Sequence, residues 1–136
     1  MRRSLYNTLV AKSTIAPALH AATATGTTVD LLVHGDAARS AMVVVNAGVV
    51  TDGTHTIAVQ DSPDGTNWTA VADEFLQGTE PAITSSNDVQ IHEVGYTGQQ
   101  RYLRAVSTVT GSPATGGLYS VDILLGYGRR LPPTRA

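Results

Sequence analysis

The sequence predicts an all-β fold: a single-domain β-sandwich, or a jelly-roll-like barrel, with an extended N-terminal arm and a short C-terminal tail. Three observations predict it. Apolar residues recur at every second position in several short runs, the period of a strand with one buried face. Gly, Pro and Asp clusters separate those runs at the spacing of turns between strands of ordinary length. No stretch longer than one turn reads as a helix. The 136 residues fall within the usual size of one domain, which buries roughly two thirds of its unfolded surface.

Residues 1–27 are rich in Ala and Thr, and Thr14, Ile15 and Pro17 argue against a helix there. The run Ala21 to Thr28 has no large apolar residue to bury. This segment reads as an extended arm that orders only against a partner. The body spans residues 28–128. Its first strand is expected over Thr28 to Val33, with Val29, Leu31 and Val33 on one face. Ala41 to Asn46 is a continuous apolar run, the pattern of a strand covered on both faces. Asp52-Gly53 then signals a hairpin into Thr54 to Gln60, where Ile57 and Val59 point inward.

Asp61 to Trp68 is the clearest turn, because Pro63 presets φ and Asp64-Gly65 supplies the corner. It leads into a short strand, Trp68 to Val71, and the one Trp of the chain is expected to plug the core. Asp73 to Gly78 reads as a short helical turn closed by glycine, and Thr79 to Asp88 as a polar loop. Val94 to Val106 turns on Gly95 and Gly98, two glycines free to take positive φ. The product is a hairpin or a strand–corner–strand, with Leu103 and Ala105 on one face and Tyr102, Arg104 and Val106 on the other. After a flexible loop from Gly111 to Gly117, the last strand runs from Leu118 to Tyr127. Tyr119, Val121, Ile123, Leu125 and Tyr127 share one side of it. Pro132-Pro133 cannot continue a sheet interior, so residues 129–136 form the tail.

The residues carry no catalytic pattern, and the chain is expected not to be an enzyme. There is no cysteine, which removes disulfides and thiolate metal sites. His20, His34, His55 and His92 lack zinc-ligand spacing and read as surface residues. The Asp61–Gly65 segment lacks a calcium-loop ligand series, and neither a nucleophile elbow nor a phosphate loop is present. No metal and no cofactor is expected. No apolar run reaches the 18 residues a membrane helix needs, so no membrane partner is expected, and the N-terminus is not followed by the apolar stretch of a signal peptide.

Charge is segregated. Arg2, Arg3, Lys12, Arg129, Arg130 and Arg135 lie at the two ends, whereas residues 13–128 hold three basic and eleven acidic residues. An acidic body with basic ends suggests that the ends meet an acidic surface. These six residues are therefore the candidate contacts to such a surface, whether it belongs to a neighbouring copy or to a different protein. An acidic body makes nucleic acid an unlikely partner.

The stretch Val94-Gly95-Tyr96-Thr97-Gly98, followed by Arg101-Tyr102-Leu103-Arg104, Gly116-Gly117 and a last strand ending Leu125-Gly126, resembles small head proteins of tailed bacteriophages and prophages. The opening Arg-Ser-Leu-Tyr-Asn, the Thr51–His55 turn and the Leu76–Thr79 step are similar to the same family. The resemblance implies a virion structural protein, a decoration or cement protein on the capsid surface, made in the cytoplasm of the host bacterium. It also implies the major capsid protein as partner and self-association into a homo-oligomer, a trimer among the options. Two alternatives stand beside it. One is a head–tail connector or tail-terminator ring subunit. The other is a carbohydrate-binding β-sandwich module for host attachment, resting on the Trp68 hairpin and on exposed tyrosines such as Tyr96.

Overall fold

The computed structural model describes residues 4–33 and 37–129. It is an all-β sandwich of two antiparallel sheets, open at their edges and not closed into a barrel. The first sheet contains β1 (Leu9–His20), β11 (Gly117–Gly126), β4 (Ser40–Val50), β9 (Gln90–Tyr96) and β7 (Leu76–Gln77), in that spatial order. The second is centred on β10 (Tyr102–Thr110) paired along its length with β5 (Thr54–Ser62). Two-residue strands flank that pair: β2 (Ala24–Thr25) and β3 (Val29–Asp30) on β10, and β6 (Thr69–Ala70) and β8 (Ala82–Ile83) on β5. Such short edge strands offer little free main chain for further pairing. One 3₁₀ turn, Asp73–Phe75, lies between β6 and β7.

The core is the pair of inner faces. Val43 and Val45 of β4, Val94 and Tyr96 of β9, and Val121, Ile123 and Leu125 of β11 meet Ile57 and Val59 of β5 and Leu103 and Ala105 of β10. All are buried. Each set follows the period-two alternation of its strand, so the inward residues expected for the last two strands and for Thr54 to Gln60 are found inward. Tyr127 is the exception. It lies past the end of β11 with φ 54° and is 75% exposed.

The expected N-terminal arm is corrected. Leu9–His20 is an edge strand of the first sheet, in register with β11 from Leu9↔Gly126 to His20↔Gly117. Register shifts between Ser13 and Ile15 and between Ile15 and Ala18 break the alternation, so Val10 and Ile15 are both buried although five residues apart. That bulged spacing hides a strand from a period-two reading. Pro17 is tolerated because β1 is an edge. Thr14 ties β1 to the second sheet: its hydroxyl donates to the Thr27 carbonyl at 2.8 Å and accepts from the Ala105 amide at 3.2 Å.

Two of the expected turns carry the chain between layers. Asp52-Gly53 does not form a hairpin, because β4 lies in one sheet and β5 in the other. Gly53 has φ 80°, and the Asp52 carboxylate accepts the amides of Ala114, Thr115 and Gly116, pinning the corner to the β10–β11 loop. The 95–101 segment likewise joins β9 to β10 across the layers, the strand–corner–strand option. Its glycines are needed for close approach and not for positive φ. A Cβ on Gly98 would run into the ring of Tyr96. The strand expected over Thr28 to Val33 ends at Asp30, and Val33 is exposed because the chain turns at Leu31.

A polar network crosses the core. The fully buried His55 holds the Asp52 carbonyl through Nε2 and the Tyr119 hydroxyl through Nδ1, both at 3.1 Å. The Tyr119 hydroxyl also bonds Ser107. His55 is thus a core residue, contrary to its expected surface position, because one turn of chain brings the Asp52 carbonyl within its reach.

A candidate interaction surface on the five-stranded sheet

The continuous apolar run of β4 predicts cover on both faces, and the described residues supply only one. Ala41, Val43, Val45 and Ala47 are buried, while Met42 and Val44 on the outer side are half-buried and Asn46 is exposed. Leu124 of β11 lies beside Met42 in the same outer face, also half-buried. The outer face becomes more exposed and more apolar toward the end where β11 begins.

There a row of side chains crosses four strands. Leu19 of β1 is in register with Leu118 of β11. Leu118 packs against Gly48 of β4, whose carbonyl accepts the Val89 amide at 3.1 Å just before β9. Val49 follows Gly48, and Ile91 lies one step along β9, opposite Asn46. These five side chains, Leu19, Leu118, Val49, Val89 and Ile91, are 47–67% exposed. A shallow groove of about 330 Å³ runs beside Leu118 between Pro17 and Asn46. Contiguous exposed apolar surface of this kind marks interaction sites.

Val89 sits at φ 51°, a conformation that a β-branched residue rarely adopts and that costs on the order of 1–3 kcal/mol. The neighbouring carboxylate of Asp88 accepts the Val50 amide at 2.8 Å and holds the corner in place. The strained position is therefore one that turns an apolar side chain outward.

The outer face carries two acidic groups, Glu93 of β9 and Asp122 of β11. Burial among its neighbours pushes the Asp122 carboxyl above the usual range. A partner's basic side chain would relieve that cost.

The six sequence-predicted contacts are not gathered here. Arg2, Arg3, Arg130 and Arg135 lie outside the described residues. Lys12 belongs to a strand and not to an arm; it is half-buried and in register with the inward-facing Ile123. Arg129 is exposed and lines a groove at the opposite end of the sheet with Arg39 and Arg101. The apolar row was missed because its members come from four strands, and no local run shows them together. The one local signal was the unbroken apolar run of β4.

The residues expected to bind sugar are placed differently from expectation. Trp68 is not a core plug. It lies half-buried on the outer face of the second sheet, with the Arg104 guanidinium 4.2 Å from the centre of its ring. Arg104 thereby takes up a ring face that a sugar would stack on. Tyr96 is buried, and its hydroxyl donates to Asp61 at 2.7 Å. Burial and the Asp61 carboxylate both push the Tyr96 phenol well above its ordinary value. Among the described residues no group of three or more His, Asp or Glu could hold a metal ion, and no helix is long and apolar enough to cross a membrane.

Comparison with protein-family models, with curated proteins and with solved structures gave no match.

Proposed function

We propose that the chain is a virion structural protein of a tailed phage, a decoration or cement subunit that binds the capsid surface and stabilises the head. The observation that carries the reading is the uncovered apolar outer face of the five-stranded sheet. Covering a Leu or Ile side chain fully contributes about 1.5–3 kcal/mol. A row of five that is already half-sheltered therefore offers on the order of 5 kcal/mol before the costs of association. That is a modest affinity for one copy. A symmetric shell that engages many subunits compensates through avidity. The sequence resemblance points the same way. Glu93 and Asp122 would face one another if two such surfaces met, so a shell surface carrying basic side chains fits this face better than a second copy does.

Mass spectrometry of purified particles, with this chain counted against the major capsid protein, tests the reading. A ratio near one to one is the expected result. A ratio matching a single ring would assign the chain to the connector or tail, and absence from the particle would refute a structural role. Leu118→Asp with Ile91→Asp separates binding from folding. Both sites are exposed, so stability should change by less than about 1 kcal/mol, while binding to stripped heads should be lost.

A further inference from the structure

The groove of about 430 Å³ at the far end of the sandwich, between Leu31, Leu32 and residues 37–41 on one side and the 96–101 corner on the other, inverts the charge of the body around it. Three arginines line it: Arg39, Arg101 and Arg129. Arg101 is held by Asp30 through two hydrogen bonds, Nε to Oδ1 at 2.9 Å and Nη2 to Oδ2 at 2.8 Å, which fixes its guanidinium in place. Arg39 and Arg129 are exposed and have no carboxylate within ion-pair distance among the described residues. Among the described residues the lining therefore carries a formal surplus of two positive charges once Asp30 is counted. Its floor is apolar and firm: Leu31 and Tyr96 are buried, and Tyr96 is anchored by Asp61 and by the Gln100 amide. Leu32 at the rim is half exposed. Guanidinium groups over an apolar floor suit carboxylates flanked by an apolar side chain.

The chain displays such a segment. The 3₁₀ turn Asp73-Glu74-Phe75 presents two exposed carboxylates beside a Phe that is 43% exposed, and none of its residues is buried. Neither carboxylate has an ion-pair partner among the described residues. The Thr97 amide donates to the Phe75 carbonyl at 2.8 Å, so the turn stands at the same end of the sandwich as the groove.

We propose that the groove is the receptor half of a self-association contact, and that its occupant is the Asp73-Glu74-Phe75 turn of a second copy. Opposite charges and exposed apolar groups stand ready on one end of the same molecule. Two copies can exchange the contact reciprocally, or successive copies can pass it around a closed ring. This contact is separate from the shell-facing apolar row. It can be tested in purified protein without any particle, so its failure and the failure of the shell-binding reading are distinguishable.

The test is charge reversal with sedimentation analysis of the full chain. The unaltered chain should show a concentration-dependent monomer–oligomer equilibrium that weakens as salt is raised. Arg39→Glu with Arg129→Glu should weaken it by about thirtyfold or more, the usual effect of leaving a contact charge without its partner. Asp73→Arg with Glu74→Arg should do the same. All four sites are exposed, and unchanged circular dichroism and melting confirm that each variant is folded. Mixing the two variants is the decisive arm. Each groove then meets a turn of opposite charge, so a mixed oligomer should form where neither variant associates alone. Three results overturn the proposal: a monomer at every concentration, reversed variants that still associate like the unaltered chain, or a mixture that stays monomeric.

Discussion

Removing one oxygen from the core, by Tyr119→Phe, should cost far more stability than its size suggests. The reason is the directionality of the network around it. His55 Nε2 faces the Asp52 carbonyl at 3.1 Å, so it must carry the proton. Nδ1 is then an acceptor, and the Tyr119 hydroxyl donates to it at 3.1 Å. The remaining capacity of that hydroxyl accepts from Ser107. His55 and Ser107 are fully buried and Tyr119 is 3% exposed, so water cannot replace a missing partner. Losing the hydroxyl would leave a bare acceptor on His55 and an unmet donor on Ser107. At about 1–3 kcal/mol for each of the two orphaned groups, the expected loss is about 2–6 kcal/mol. For a domain of this size that is a fall in melting temperature on the order of 10 °C. Chemical denaturation of the purified chain measures it. Ser107→Ala removes one donor but leaves the Tyr119–His55 bond, and should cost about 1 kcal/mol. The double variant should cost less than the sum, because Ser107 no longer exists to be orphaned. A loss below about 0.5 kcal/mol for Tyr119→Phe, or an NMR spectrum placing the His55 proton on Nδ1, would refute the assignment.

Three further outcomes are expected. Gly116 has φ 93°, and a Cβ there would run into the His20 carbonyl oxygen. Gly116→Ala should therefore destabilise by well over about 1 kcal/mol, read from the same denaturation curves. The Asp52 carboxyl is held below its usual range chiefly by the Gly116 amide, with the Thr115 and Ala114 amides adding to the effect. A carboxyl with a lowered folded-state value contributes stability that is complete above its unfolded value, about 3.9, and is lost as pH falls through the lower folded value. Asp30 and Asp64 act in the same direction, Asp30 through Arg101 and Asp64 through the Asn67 and Thr66 amides. The chain should hold its melting temperature down to about pH 4 and lose it below. Asp52→Asn should make that acid-side fall shallower while lowering stability at neutral pH.

What was legible locally came from the alternation of single strands. Val121, Ile123 and Leu125 point inward because side chains on a strand alternate, and that geometry needs no distant partner. The same holds for Ile57 and Val59, and for Leu103 and Ala105. The turn expected from Asp61 to Trp68 was also legible, because the Asp64 carboxylate bonds the amides of Thr66 and Asn67 within the turn itself. Where alternation breaks, legibility ends. The bulges of β1 conceal a twelve-residue strand, and the residues expected to reach for a partner instead pair with β11.

The all-β class, the inward side of each regular strand and the acidic body follow from the order of residues alone. Those properties depend on neighbours along the chain, within the reach of a turn or of a period of two. The layer that each strand joins is settled by packing in three dimensions, because a Gly corner serves a reversal and a crossing equally well. Packing also places Trp68 and His55, since burial depends on what lies above a residue. Both candidate surfaces belong to that second class. Leu19, Val49, Val89, Ile91 and Leu118 become one row only when β1, β11, β4 and β9 are laid side by side. Arg39, Arg101 and Arg129 become one groove only when the sandwich brings three distant segments to a common end. Pairing between strands far apart in the chain is a long-range choice, and no local pattern carries it.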